Sequence, residues 1–143
     1  MTAARHAHPG ESAAAFRWPI RVYWEDTDAA GIVFYANYLK FFERARTEWL
    51  RARGIEQDQL RAQDGLMFVV AESNLRYLRP ARLDDQLAIT VSITETGRVS
   101  MSLEQVAWRG EERLVEGHIR IGCVDAATFK PRRMPALLLP PMH

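Results

Sequence analysis

The sequence predicts an α+β domain in which a curved antiparallel sheet of about five strands wraps around one long helix. Three observations lead to this prediction: an alternating segment near the start, one long apolar helical segment, and four further strand-like segments joined mostly by short turns. The 143 residues are enough for one domain with a single core. Hydrophobic residues make up 48% and charged residues 26%, as in an ordinary globular protein.

The first strand is predicted over 17–24, where apolar and polar residues alternate. Its alternating apolar residues are Trp18, Ile20, Val22 and Trp24. Pro19 has no N–H to donate, so we expect it at a sheet edge or at the start of the strand. Residues 1–15 contain no signal-peptide core. We therefore expect a flexible N-terminal tail over 1–15 and a single domain over 16–143.

A long helix is predicted from about Ala36 to Arg53. Apolar residues recur there at helical spacing: Tyr38, Phe42, Ala45, Trp49 and Ala52. Neighbouring apolar residues widen this face, so we expect other structure to surround the helix over much of its girth. Asn37 is the predicted N-cap, and Gly54 is the predicted C-terminal stop.

Four strands are predicted after the helix, beginning with an apolar run over 66–78 and an alternating segment over 87–93. In the third strand the apolar positions change phase between Leu103 and Val106, which predicts a β-bulge. The last strand carries Val115, Ile119, Ile121 and Cys123. Such strands pair as an antiparallel sheet, and a curved sheet around one helix is the hotdog architecture. Open sheet edges of this architecture favour pairing with another copy.

Composition gives no support for several functional classes. The net charge of +1 offers no electrostatic argument for nucleic acid, and no apolar run is long enough to cross a membrane. Cys123, the only cysteine, is expected to be a buried structural thiol. No group of His and Cys has the spacing of a metal site. We therefore expect a cytoplasmic protein without metal, nucleic acid partner or membrane insertion.

The segment with the clearest chemical pattern is EDTDAAGIVFYANYLKFFERAR, over 25–46. Asp28 precedes a turn at Gly31 and then the predicted helix start. Unpaired N–H groups at a helix start can polarise an acyl carbonyl, and a nearby carboxylate can attack it or activate a water. The alternative is that Asp26 or Asp28 only caps a turn. The pattern is thus compatible with acyl-transfer chemistry and with a purely structural turn.

The stretch VYWEDTDAAGIVFYANYLKFFERARTEWL, over 22–50, resembles the signature of the YbgC-like acyl-CoA thioesterases. These belong to the branch of hotdog proteins that also contains 4-hydroxybenzoyl-CoA thioesterase. The resemblance continues through RYLRPARLDDQL, over 76–87, and VDAATFKPRRMP, over 124–135. It implies hydrolysis of an acyl-CoA to free acid and CoA. No separate cofactor is implied, because CoA is part of the substrate.

The resemblance also implies roles for three residues. Asp28 is similar in position to the family's catalytic aspartate, a nucleophile or general base. The backbone N–H near Tyr35 is similar in position to the group that polarises the thioester carbonyl; Tyr35 stands where YbgC-type members usually have His and the hydroxybenzoyl branch has Tyr. Glu43 matches the Glu of the pattern F-x-E-x-A-R. On so apolar a helix Glu43 needs a raised pKa or a partner such as Arg46, as a second acid or as a structural ion pair.

A CoA thioester also needs cationic groups for its phosphates. Arg98 and Ser100, in the turn after the second of these strands, match the region that meets CoA in the hydroxybenzoyl branch. Lys130 and Arg132 follow the last strand and could reach a phosphate. Arg82 is expected to pair with Asp84 or Asp85 or to support the loop.

Partners and rival functions follow from the same resemblance. We expect a homo-oligomer, dimer or tetramer, with each site at a subunit boundary. The thioester partner is acyl-CoA, or acyl carrier protein in its place. One alternative is a non-catalytic hotdog protein that binds acyl-CoA or acyl carrier protein. Such a protein could work beside the cell-envelope Tol-Pal system, with which YbgC-like proteins are associated.

Overall fold

The structure, a computed structural model, describes residues 15–138. In chain order the elements are β1 (Phe16–Arg21), α1 (Asn37–Ala52), α2 (Gln57–Asp64), β2 (Leu66–Tyr77), β3 (Gln86–Thr96), β4 (Ser100–Arg109) and β5 (Glu112–Asp125). The strands form one antiparallel sheet in the order β1-β3-β4-β5-β2. The predicted α+β class, strand number and single long helix are confirmed. The predicted tail lies almost wholly outside the described residues and stays a prediction.

Strands β1 and β2 form the two edges of the sheet. Pro19 lies in β1 opposite Ala88 of β3, which confirms the prediction that the proline occupies an edge strand. The other edge is longer, because β2 has 12 residues where β1 has six. The outer side of β2 is therefore the longer row of backbone groups open to pairing within the described residues.

The core lies between α1 and one face of the sheet. Six residues of α1 are buried: Tyr38, Phe41, Phe42, Ala45, Trp49 and Leu50. They pack against helix-facing side chains such as Ile89, Leu103 and Ile119, each at most 1% exposed. Burial of each large apolar side chain contributes roughly 1.5–3 kcal/mol. Gly117 of β5 allows the close approach, since a Cβ there would lie 2.6 Å from Phe42 Cε2.

Strand β4 contradicts the predicted bulge between Leu103 and Val106. Its register with both neighbours is continuous from Leu103 to Ala107. Gln105 occupies a helix-facing position and is fully buried, so a polar residue interrupts the apolar pattern but not the strand. Val106 and Trp108 are also buried, on the opposite face of the sheet. The register shifts lie elsewhere, one of them between Ala107 and Trp108.

The ends of α1 confirm one prediction and correct another. Gly54 follows the helix with φ of +84°, a left-handed conformation that glycine adopts without strain, and so acts as the predicted stop. Asn37 is not the N-cap, because the helix begins at Asn37 and Ala36 holds the N-cap position. Within residues 15–138, no helix is both long and apolar enough to cross a membrane.

Candidate active site

The two aspartates of the segment 25–28 have different environments. Asp26 ends a short 3₁₀ turn, is only 6% exposed, and accepts the Tyr23 N–H at Oδ2 over 2.8 Å. Asp28 is exposed, and its Oδ1 accepts the Ala30 N–H at 2.9 Å. Within the described residues Asp28 Oδ2 has no partner. Asp26 is therefore the structural acid of the pair, whereas Asp28 caps a turn and still has one carboxylate oxygen free.

A tight turn folds the chain back immediately after Asp28. The Asp28 carbonyl accepts the Gly31 N–H at 2.9 Å, and the Asp28 N–H donates to Ile32 O at 2.9 Å. Gly31 has φ of +80°, which disfavours any other residue at this turn. Thr27 then pairs with Val33 in an antiparallel bridge. The turn thus returns the chain past Asp28 directly into the start of α1.

Hydrogen bonds join the segment 26–31, which we call the acid turn, to the start of α1. The Asp26 carbonyl accepts both the Phe34 N–H at 3.0 Å and Asn37 Nδ2 at 2.9 Å. Val33 N–H donates to Ala81 O at 2.9 Å, which ties the same segment to the loop before β3. The acid turn and the first turn of α1 are therefore one hydrogen-bonded unit.

The start of α1 presents free donors. Bonds of the i→i−3 type satisfy the N–H groups of Asn37, Tyr38 and Leu39. The N–H groups of Tyr35 and Ala36 have no acceptor in the part of the chain that the structure describes. They lie at the positive end of a 16-residue helix, where an oxyanion is stabilised. The sequence-based placement of the carbonyl-polarising group near Tyr35 concerns these donors and stays a prediction.

An aromatic cluster, formed by Phe34, Tyr35, Tyr38 and Tyr77, surrounds these donors. The Tyr35 ring centroid lies 4.8 Å from that of Phe34 and 6.1 Å from that of Tyr77. Tyr38 is buried behind them, 5.8 Å from Tyr77. Tyr35 is 63% exposed and Tyr77 48% exposed, so the cluster forms an open apolar surface beside the helix start. Tyr77 was not among the sequence-based candidates, because nothing in its strand pattern distinguished it.

Glu43 has a different environment from the one expected. It is exposed, because the sheet covers only one side of α1, and it is not enclosed in the core. It lines a cavity of about 80 Å³ between α1 and β2 together with Arg46, Val70 and Ile121. Burial lowers the pKa of Arg46, and the Glu43 charge opposes that effect. At 1.5 Å per residue, Glu43 lies roughly 9 Å along the helix from Asn37, so it does not adjoin the free N–H groups.

Gln105 is a buried partner of Arg46 that the sequence did not reveal. Its Oε1 accepts Arg46 NH1 at 2.9 Å, and its Nε2 donates to Phe42 O at 3.0 Å. Gln105 therefore connects β4 to the middle of α1 and satisfies part of a largely desolvated guanidinium.

The residues predicted to bind CoA lie together at the other end of the sheet. Met134 N–H donates to Arg98 O, and Arg132 pairs with Asp125 at 2.8 Å. Ser100 begins β4 beside Arg98, and Lys130 follows β5 and is exposed. Asp125 pairs with the first residue of β2, whereas the Tyr35 ring packs on its last residue, Tyr77. In one chain, the basic cluster (Arg98, Ser100, Lys130 and Arg132) and Asp28 are therefore separated by about the length of β2, roughly 35 Å.

Within the described residues the Arg82 side chain makes no ion pair with Asp84 or Asp85, and the backbone bonds between Arg82 and Asp85 fit the alternative that Arg82 supports the loop. Asp85 instead pairs with Arg109 at 2.7 Å and also accepts the backbone N–H of Arg82 at 2.9 Å. Burial tends to raise the pKa of Asp85, but these two donors outweigh burial and leave the pKa below its ordinary value. Cys123 meets its expectation: it is fully buried, and burial raises the pKa of its thiol.

Comparison with known proteins gives the family. Residues 30–116 match the thioesterase superfamily. The acyl-CoA thioester hydrolase YbgC of Escherichia coli is 45% identical over 121 residues, which cover 84% of this chain and 90% of that protein. The acyl-CoA thioesterase YbgC of Haemophilus influenzae is 40% identical, with 84% and 88% covered.

Solved structures agree with the sequence relatives. The crystal structure of a probable thioesterase from Bartonella henselae has 37% identity and a TM-score of 0.82, and the match covers 85% of this chain and all of that one. The resemblance read from the sequence and the predicted hotdog fold are both confirmed. This chain therefore belongs to the YbgC-like acyl-CoA thioesterases of the thioesterase superfamily.

Proposed function

We propose that this chain hydrolyses an acyl-CoA to a free acid and CoA, with Asp28 as the catalytic carboxylate. The observation that carries the proposal is the joint presence of a free carboxylate oxygen on Asp28 and unpaired N–H groups on Tyr35 and Ala36. Both lie in one hydrogen-bonded turn and helix start. The family supports the reaction class, since its curated members from two bacteria are acyl-CoA thioesterases.

In the proposed reaction the thioester carbonyl oxygen accepts a hydrogen bond at the helix start. Negative charge that develops on this oxygen is stabilised by the N–H groups and the helix dipole. Asp28 then either attacks the carbonyl carbon, expelling CoA thiolate and leaving an anhydride that water hydrolyses, or removes a proton from an attacking water. In a single turnover in ¹⁸O-labelled water, ¹⁸O in the Asp28 side chain would establish the anhydride route, because direct attack by water leaves that carboxylate unlabelled.

We further propose that the working enzyme is a homo-oligomer, either a dimer or a tetramer built from two dimers, with the site at a subunit boundary. In one chain Asp28 and the aromatic cluster face solvent, and hydrogen bonds to an oxyanion are weak in water. Edge strand β2 offers 12 residues without proline, and Val70 on it is 49% exposed. A second copy that pairs with β2 across a two-fold axis would cover this edge.

Two-fold pairing also accounts for the position of the basic cluster. Antiparallel pairing of two β2 strands brings the start of one beside the end of the other. The basic cluster of the second copy would then lie at the same end of the dimer as Asp28 and Tyr35 of the first copy, where it could bind the CoA phosphates. Glu43 and the 80 Å³ cavity lie along the same border and could meet the acyl end. We also propose a cytoplasmic location, because Cys123 is a free thiol, as is usual in a reducing compartment.

Asp28→Asn tests the function, with wild type and variant assayed on short, long and aromatic acyl-CoAs. Loss of a positioned acid or base costs about 10²–10⁴-fold in kcat. Asp58→Asn, in the exposed first turn of α2, is the matched control. Equal activity of wild type and Asp28→Asn would contradict the role of Asp28. If the wild type binds CoA esters but hydrolyses none, the alternative is favoured: a non-catalytic protein that binds acyl-CoA or acyl carrier protein. A pull-down with Tol-Pal components would then test whether it works beside that system.

A further inference from the structure

Tyr77 is the last residue of β2 and lies directly against the first turn of α1. Its hydroxyl donates to the backbone oxygen of Tyr35 at 3.3 Å. Its ring meets the Tyr35 ring edge-on at 6.1 Å and the Tyr38 ring at 5.8 Å. Tyr38 is itself fixed, because it is 2% exposed and its hydroxyl accepts the Ala81 N–H at 3.2 Å. Tyr77 is thus the link between the edge of the sheet and the peptides that carry the free donors.

The oxygen that Tyr77 binds belongs to the same peptide group as the Ala36 N–H. Because a peptide group is planar, a partner that fixes the Tyr35 carbonyl also fixes the direction of the Ala36 N–H. A hydrogen bond accepted at the carbonyl also polarises the peptide and makes its N–H a stronger donor. Within the described residues, the other donor to this oxygen is the Tyr38 N–H at 3.4 Å, which is a long bond.

We propose that Tyr77 is a positioning residue of this enzyme, which orients the Ala36 N–H and strengthens it as a donor to the thioester oxygen. This inference rests on the proposed function of the helix start. It assigns the stronger oxyanion contact to Ala36, whereas the sequence pointed only to the neighbourhood of Tyr35. Because 3.3 Å is long for an O–H···O bond, we expect an effect of several-fold, not of many powers of ten.

The chemistry of the Tyr77 hydroxyl suits a permanent donor. Burial raises the pKa of Tyr77, and the neighbouring Tyr35 adds to this effect. The hydroxyl therefore keeps its proton throughout neutral and mildly alkaline solution, where thioester hydrolysis would be measured. Its action should be independent of pH over that range, unlike that of a group which gains or loses charge.

Tyr77→Phe is the kinetic test, because it removes one oxygen and keeps the ring contacts. We expect kcat to fall about 3- to 10-fold, with KM and Tm nearly unchanged, since only stabilisation of the transition state is lost. The change should be the same at each pH between about 6 and 9. Thr94→Val, which removes an exposed hydroxyl elsewhere on the sheet, is the control and should leave kcat unchanged. An unaltered kcat for Tyr77→Phe would overturn the inference, as would a loss confined to KM or Tm.

A spectroscopic test separates this inference from the proposed function. The probe is a ketone analogue of the best acyl-CoA substrate, with CH₂ in place of sulfur and ¹³C at the carbonyl, and its carbonyl stretching frequency is measured when bound. Wild type should lower that frequency relative to water, and Tyr77→Phe should remove part of the shift. An equal shift in both proteins overturns the role of Tyr77 alone. No shift in wild type overturns carbonyl polarisation at the helix start, and with it the proposed function.

Discussion

Asn37 Nδ2 lies 2.9 Å from the backbone oxygen of Asp26, and this hydrogen bond joins the first residue of α1 to the acid turn. The same oxygen accepts the Phe34 N–H at 3.0 Å. The Asp26 carbonyl thus accepts two hydrogen bonds, one from Phe34 and one from Asn37, and both tie the helix start to the acid turn. The distance between Asp28 and the free N–H groups depends on this junction, although neither Asp26 nor Asn37 needs to touch a substrate.

We predict that Asn37→Ala slows hydrolysis more than it destabilises the fold. Loss of one neutral hydrogen bond costs about 1 kcal/mol of unfolding free energy. A displacement of the carboxylate by a fraction of an ångström can cost about tenfold or more in kcat. Steady-state kinetics and urea denaturation measure the two effects, with Asn74→Ala on the exposed face of β2 as control. A loss of stability without any change in kcat would show that the junction does not position Asp28.

Substitution of Asp26 should lower the stability of the fold, whereas substitution of Asp28 should leave it nearly unchanged. Asp26→Ala leaves the Tyr23 N–H without its acceptor and opens the 3₁₀ turn, so we expect the unfolding free energy to fall by about 1–2 kcal/mol. Asp28→Asn keeps an acceptor for the Ala30 N–H, so its unfolding free energy should stay within about 0.5 kcal/mol of wild type. Chemical denaturation of both variants decides this. A large destabilisation by Asp28→Asn would support a purely structural role for that acid.

Periodicity was sufficient to predict the long helix and the five strands, because apolar faces at spacing 2 or 3.6 are a direct consequence of burying one side of a strand or helix. It did not reveal α2, which buries no residue, or the end of β1 at Arg21, three residues before the predicted end. The acid turn could also be predicted, since Asp and Gly at fixed spacing favour one backbone geometry. Gln105 could not, because a buried amide is defined by its partners on α1, which lie 59 to 63 residues away.

Other misjudgements have the same physical origin. Glu43 was expected in an enclosed environment, but the extent of cover around α1 depends on where the sheet ends, and sequence spacing does not contain that information. The residue type of Asn37 favours an N-cap, whereas its side chain binds a carbonyl eleven residues earlier. Arg82 binds Asp85 through its backbone N–H, whereas the side-chain partner of Asp85 is Arg109 of β4. For Asn37 and Asp85, contacts between separate segments of the chain outweighed a local preference.

We predict that Gln105→Leu is among the more destabilising substitutions in the core. It removes the acceptor of Arg46 and the donor to Phe42 O, and leaves the half-buried guanidinium of Arg46 with fewer partners. An unsatisfied buried polar group costs about 1–3 kcal/mol, more when charged. Arg46→Met in the Gln105→Leu background should recover part of this loss. Additive losses in the double-mutant cycle would show that the two side chains do not interact.

A lysine at position 70 should disrupt the proposed subunit contact. Val70 lies on edge strand β2 and is 49% exposed, so Val70→Lys should leave the single chain folded but place a charge within the contact. We expect a lower molar mass by light scattering and a parallel loss of activity. Leu137→Lys, at a residue 61% exposed outside the sheet, is the control. An unchanged mass and activity for Val70→Lys would refute assembly through β2.

The Asp85–Arg109 pair should make stability depend on acid pH. Since the folded pKa of Asp85 lies below its unfolded value of about 4, the pair stabilises the fold above that pH and loses its effect as pH falls through the folded pKa. Both side chains are less than a third exposed, so Asp85→Asn should lower the unfolding free energy by about 1 kcal/mol at pH 7. The difference from wild type should shrink as the pH is lowered from 7 into strong acid, through the folded pKa of Asp85. Asp84→Asn is the matched control, because Asp84 has φ of +68°, which asparagine also tolerates. Denaturant titrations across this pH range measure the difference, and a gap that persists in acid would mean that Asp85 stabilises by shape and not by charge.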